Sequence, residues 1–166
     1  MRKPIIGVMG PGDKAREEDK KAAFTLGVLI AKKGWVLLSG GRNQGVMDAS
    51  CKGAKSAGGT VLGILPSKDN SLTSDAVDIP VLTGMGSARN YINILTSDVV
   101  IACGMGAGTA SEVSMALKSK KSVILINSSE EATKFFQTLA PDLVSVANTP
   151  EKVIALTQKL LKKSTG

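Results

Sequence analysis

The sequence predicts an α/β protein, a three-layer sandwich in which helices cover both faces of an open, doubly wound, mostly parallel sheet. Short apolar runs alternate with segments of helical spacing almost from end to end, as repeated βα units do. Several runs, among them Ile5–Met9 and Val99–Cys103, are continuously apolar rather than alternating, which marks strands buried on both faces. The chain has 166 residues. A closed eight-fold barrel needs roughly 250, so residues 1–166 are read as a single Rossmann-like ligand-binding domain.

Each element follows from local chemistry. Ile5–Met9 is the first strand and ends in Gly10-Pro11-Gly12. Residues 15–33 have helical spacing, with Ala22, Ala23, Leu26, Leu29 and Ile30 on one face. Residues 35–38 form a second strand ending in Ser39-Gly40-Gly41. Residues 45–57 read as a helix closed by Gly58-Gly59. Thr60–Leu65 is a third strand stopped at Pro66-Ser67. Residues 77–82 are a fourth, and Pro80 places it at a sheet edge or delays its start. Residues 88–95 are helical and 98–103 a fifth strand. Gly104-Met105-Gly106-Ala107-Gly108 follows, then a helix over 109–117. Residues 122–126 are a sixth strand. Glu130–Leu139 and Pro150–Lys163 are helices, with a short strand over 143–146 between them.

Composition excludes several function classes. Hydrophobic residues make up 43% of the chain, enough to offset chain entropy in a folded core. No apolar stretch approaches the ~18 residues of a membrane span. The run after Met1-Arg2-Lys3-Pro4 is too short for a signal peptide's apolar region, so a cytoplasmic protein without membrane partners is expected. The chain has no histidine and two cysteines, Cys51 and Cys103. That removes imidazole-based catalysis and leaves no expected metal ligands. Cys103 reads as a small buried filler. Aromatics are 3%, which argues against base stacking on single strands. The net charge is +7, but Lys32-Lys33, Lys118, Lys120-Lys121 and Lys162-Lys163 fall near helix C-termini, where cations are favoured locally. No nucleic-acid partner is expected.

In open parallel sheets ligands bind beyond the carboxyl ends of the strands. Four glycine clusters fall at such loops: Gly10-Pro11-Gly12, Gly40-Gly41, Gly84-Met85-Gly86 and Gly104 to Gly108. Glycine-rich turns at helix N-termini present free amides and a positive dipole to phosphate. Two of the four arginines stand beside these clusters. Arg42, next to Asn43, follows Gly40-Gly41, and Arg89 follows Ser87-Ala88. Arginine suits bidentate phosphate contact. Thr109 is placed to cap the helix after the last cluster. Glu112, read on the first turn of that helix, is either favoured there by the dipole or faces a ligand hydroxyl or amine. The glycines match neither the dinucleotide-binding G-x-G-x-x-G spacing nor the P-loop.

Gly40-Gly41 through Gly45-Val46-Met47, Arg89, and Gly106-Ala107-Gly108-Thr109-Ala110-Ser111-Glu112 resemble the lysine decarboxylase-like superfamily. Its best-known members are cytokinin-activating phosphoribohydrolases, with P-G-G-x-G-T-x-x-E and M-H-x-R-K signatures. Here Gly104-Met105 stands where Pro-Gly is expected and Ser111 where an acidic residue is common. Of the second signature only Arg89 survives, with Asn90 in place of Lys. Within the superfamily, residues 3–12, Val77-Asp78-Ile79-Pro80, Gly86-Ser87-Ala88-Arg89 and Gly104-Met105-Gly106 resemble the molybdenum cofactor carriers. The resemblance implies a non-enzymatic carrier of a pterin whose dithiolene holds the metal and whose phosphate sits in a glycine-rich cleft. The expected cofactor-binding residues are Gly10, Pro11, Gly12, Gly40, Gly41, Arg42, Asn43, Ser87, Arg89, Gly106, Ala107, Gly108, Thr109 and Glu112. It also implies a homo-oligomer, dimer or tetramer, with the apolar residues of 90–95 and Val113, Met115, Ala116 and Leu117 as candidate contacts. Molybdoenzymes or cofactor-synthesis proteins are implied partners. The alternative is a phosphoribohydrolase acting on nucleoside 5′-monophosphates, with Arg89 and Glu112 at the ribosyl bond.

Overall fold

A computed structural model describes residues 2–163, so Met1 and 164–166 of the expected domain lie outside the described residues. The chain runs β1 (Ile5–Met9), α1 (Glu17–Lys32), β2 (Val36–Ser39), α2 (Gly45–Ser56), β3 (Thr60–Leu65) and β4 (Ile79–Leu82). A 3₁₀ turn (Gly86–Arg89) leads into α3 (Asn90–Thr96). Then come β5 (Val99–Cys103), α4 (Ala107–Lys118), β6 (Val123–Ile126), α5 (Glu130–Leu139), β7 (Val144–Val146) and α6 (Pro150–Lys163).

The seven strands form one sheet in the order β4-β3-β2-β1-β5-β6-β7. All pairings are parallel, so the expected "mostly parallel" sheet is wholly parallel. β1 lies at its centre, with Ile6 beside both Leu37 of β2 and Val99 of β5. β4 is an edge strand, as Pro80 requires, with all four residues exposed.

Alternate strand residues feed two cores. Ile6, Val8, Leu37, Val61 and Ile101 pack under α1, α2 and α6 through Leu26, Ile30, Cys51 and Val153. Met9, Leu38, Val100, Ala102 and Leu125 pack under α3, α4 and α5 through Ile94, Val113, Ala116 and Phe136. Lysines occupy the last turns of α1, α2, α4 and α6, where the dipole favours them. Val113, Ala116 and Leu117 are buried in this chain's own core, so they are not the free interface face the sequence suggested; Tyr91 and Leu95 of α3 are about half exposed. Among the described residues no helix is long and apolar enough to cross a membrane.

α1 and α2 cross at paired glycines. A Cβ on Gly27 would stand 2.1 Å from the Ser50 carbonyl oxygen, and one on Gly53 2.0 Å from that of Phe24. Backbone on both sides leaves no flexible group to yield. Gly27→Ala is expected to cost about 1–3 kcal/mol, the range for overpacking. Urea unfolding checks this, and an unchanged midpoint would show the helices free to separate.

The winding makes a crevice. From β1 the chain steps outward through β2, β3 and β4, then returns to β5 on the other side of β1. The loops after β1 and β5 therefore leave in opposite directions and part at the carboxyl end of the sheet.

Candidate functional site

That crevice is a cleft of about 260 Å³. Its floor comes from the end of β1, with Met9, Gly10, Pro11 and Gly12. One wall is Gly40 and Arg42 after β2. Another is Arg89 from the 3₁₀ turn, and the last is Gly106, Ala107, Gly108, Thr109 and Glu112 at the start of α4.

Helix α4 begins two residues before the sequence suggested, so the glycine loop is its first turn. Gly106 is the N-cap residue, in extended conformation, and has no side chain to cap with. The first amide bonded back to it is that of Ala110, at 2.8 Å. The amides of Ala107, Gly108 and Thr109 are therefore the orphan donors of the helix. Thr109 is the third helical residue and is buried, so it does not cap. Glu112 is on the second turn rather than the first, where the dipole effect has faded.

The loops interlock through close backbone contacts. A Cβ on Gly10 would lie 2.4 Å from the Cys103 carbonyl oxygen. Gly45, with φ of +54, starts α2 where a Cβ would lie 2.0 Å from the Gly12 oxygen, a backbone conformation and an approach that glycine alone accommodates. The Val46 amide, also in α2, donates to the Pro11 carbonyl at 3.0 Å.

Arg89 is 7% exposed. Its Nη1 donates to the Gly40 carbonyl at 2.6 Å and to the Ile64 carbonyl, while its Nε has no partner. A Cβ on Gly40 would stand 2.5 Å from that Nη1, so glycine makes the seat. Burial pulls the guanidinium below the usual arginine range, opposed by the charge of Glu112. The Arg42 Nε is likewise buried without a partner. Glu112 is 7% exposed and accepts a hydrogen bond from Asn93 Nδ2 at 3.3 Å. Burial pushes its carboxyl up to about 7, against the pull of Asn93 and Arg89.

Eleven of the fourteen expected residues line this cleft; Gly41, Asn43 and Ser87 do not. Gly41 is buried and packs on Leu65. The Asn43 amide bonds the Leu72 carbonyl at 2.9 Å, and Asn43 and Ser87 are exposed. Gly84 and Gly86, with φ of +62 and +56, serve as turn residues and do not line the cleft. Sequence reasoning missed Gln44, Met47, Asn90 and Asn93. Asn93 had one signal: it lies four residues after Arg89, on the same helical face, as a polar residue in an apolar helix. Cys103 is fully buried on the α1 side of the sheet, with burial pushing its thiol up to about 12. Among the described residues no cluster of three or more Cys, Asp or Glu could hold a metal ion.

A model of the SLOG cluster4 family matches residues 3–154. The chain belongs to the SLOG cluster4 family. This family lies in the lysine decarboxylase-like superfamily, and the resemblance read from the glycine loops is borne out. A relative from Archaeoglobus fulgidus is 51% identical over 118 residues, 71% of this chain and 76% of its own. The molybdenum cofactor binding protein of the phototrophic bacterium Rippkaea orientalis is 55% identical. Its structure superposes with a TM-score of 0.96 over 97% of this chain and 99% of that one. The molybdenum cofactor carrier protein of Chlamydomonas reinhardtii is 54% identical, with a TM-score of 0.93 over 98% and 99% of the two chains. Within this SLOG cluster4 fold, the switch-point cleft is where the free amides and the two arginines meet.

Proposed function

We propose that this chain is a carrier that binds the molybdenum cofactor as cargo and shields it in the switch-point cleft. One observation carries the reading: the uncapped amides of Ala107, Gly108 and Thr109 stand at a cleft that the side chains of Arg42 and Arg89 also line. Such donors suit a phosphate. The two solved neighbours, named for binding or carrying this cofactor, support the choice of cargo. The residues fit it. The amides and guanidinium groups would hold the phosphate, and Asn90, Gln44 and Glu112 are polar groups for the pterin. The dithiolene already binds the metal, so no protein ligand is needed. Gly10, Pro11, Gly12 and Gly40 shape the cleft wall. Gly41, Asn43 and Ser87 are left out of the contact set. The carrier acts in the cytoplasm as a homo-oligomer and hands its cargo to molybdoenzymes or cofactor-synthesis proteins. Tyr91 and Leu95 are the candidate subunit contacts.

The test is copurification. Protein isolated from a cofactor-producing host and oxidised should release fluorescent pterin in near-equimolar amount. Pterin-free protein from such a host, still unable to take up added cofactor, would remove the reading.

Glu112 favours one other reading. A carboxyl near neutrality beside an arginine suits general acid–base work, as in a phosphoribohydrolase. The drift of the surrounding signature opposes it, since such assistance gives ~10²–10⁴-fold and depends on placement. AMP incubated with the protein is expected to yield no free adenine above background. Robust release, abolished by Glu112→Gln, would make the hydrolase the better reading.

A further inference from the structure

We propose that Asn93 and Glu112 form a proton-linked gate beneath the anion site: the pair holds Glu112 as a neutral carboxylic acid while an anion occupies the cleft, and loss of that proton drives the anion out. The proposal rests on the anion site of the proposed function and goes beyond it to the regulation of release.

Three observations support it. First, Glu112 is buried, and no cation lies within 4 Å of its oxygens among the described residues. Arg89, the nearest candidate, is turned to the Gly40 and Ile64 carbonyls instead. A charged carboxylate in this position would normally capture the guanidinium. Second, the Asn93 side chain is fully buried and its Oδ1 has no donor, while its Nδ2 already donates to Glu112. A carboxylic acid satisfies this atom and a carboxylate cannot, because only the acid has an O–H to give. Acid and amide then pair reciprocally. Third, the carboxyl lines the same cleft as the α4 amides, so its negative charge would oppose any anion held there.

The remaining groups facing the cleft do not provide this switch. Arg42 and Arg89 are arginines, which hold their charge. Asp13 and Lys14 stand exposed at the rim, and Gln44 and Asn90 do not titrate. The chain has no histidine. Burial has already moved Glu112 toward neutrality. The linkage has a definite sign. Above the carboxyl's midpoint, each anion bound takes up one proton from solvent, so affinity falls as pH rises.

Sulfate is the probe, because its charge is constant from pH 6 to 8.5. Calorimetric titration of the intact protein should show sulfate affinity falling about tenfold across that range. Glu112→Gln, neutral throughout and still able to pair with Asn93, should lose the slope. A parent protein with pH-independent affinity, or a Glu112→Gln variant with the parental slope, would overturn the gate. Carbon-13 NMR of the side-chain carboxyls separates the two layers of the argument. A carboxyl titrating near neutrality without sulfate, moved upward by sulfate and lost in Glu112→Gln, is expected. If that signal is present but sulfate binds at neither pH, the anion site of the proposed function fails and the gate fails with it. If sulfate binds but no carboxyl titrates near neutrality, the gate alone fails.

Discussion

Gly108→Asp is expected to leave the protein folded and to weaken cargo binding by about a hundredfold or more. Gly108 is the second residue of α4, is exposed, lines the cleft, and has nothing within 4 Å of where a Cβ would stand. Aspartate in a first helical turn is favoured by the dipole, so the helix itself should not suffer. What changes is the site. A carboxylate would accept the orphan amides that the cargo phosphate is proposed to use, and its charge would repel that phosphate. Loss of one charge-assisted contact costs roughly 1.5–3 kcal/mol, about ten- to a hundredfold, before repulsion is added. Circular dichroism and urea unfolding should match the parent, while pterin fluorescence of the purified variant falls toward background. A folded variant that retains its pterin would place the phosphate elsewhere and leave α4 with no role in binding. Gly108→Ala separates bulk from charge, because open space at the Cβ position predicts a smaller loss.

The fold was legible because its signals are local. Continuous runs such as Val99–Cys103 declared buried strands, and Pro80 declared the edge. Three of the four glycine clusters contribute to the cleft, since a parallel sheet places its βα loops at one end whatever the helix details. The misses share another cause. Thr109 looked like a cap because the helix was read as starting there, and threonine is a favoured cap residue. Yet the glycine loop itself enters the helix, which moves Thr109 to the third position and Glu112 to the second turn. Gly84 and Gly86 have the composition of a phosphate loop, but they take positive φ at the entry to the 3₁₀ turn and do not line the cleft. Ser87 stays exposed while Arg89, two residues on, is buried. Asn93 is the instructive omission. Its role depends on α3 packing beside α4, a contact between segments that spacing along one helix does not reveal. Backbone sites were readable from glycine placement, whereas the carboxyl–amide pair needed the tertiary fold.

That pair leads to the second large effect, on stability. Glu112→Gln is expected to stabilise the ligand-free protein above neutral pH and to leave it unchanged in acid. The Glu112 carboxyl moves from its ordinary 4.5 to about 7 on folding, chiefly through burial. Its raised value fixes the sign. Below about pH 4.5 the group is protonated in both states and costs nothing. Between 4.5 and 7 the unfolded chain releases the proton and the folded protein keeps it, so stability drains away as pH rises. Above 7 the loss is complete, at about 3 kcal/mol for a shift of this size. Glutamine is neutral at every pH and escapes it. Carboxylates elsewhere act in the opposite sense: Asp98 beside Arg2 and Asp78 beside Lys55 are held below the usual range and contribute stability that disappears in acid. Both proteins share those groups, so the difference between their unfolding curves isolates Glu112. It should be near zero at pH 4.5 and grow to its full value by pH 8. A constant difference would mean that the carboxylate finds a cation after burial, with Arg89 the nearest candidate. A difference growing with pH would show that the fold keeps an acid at a net cost in stability. Were the cleft to hold the proposed anion, a neutral group beside a negative ligand would explain that cost.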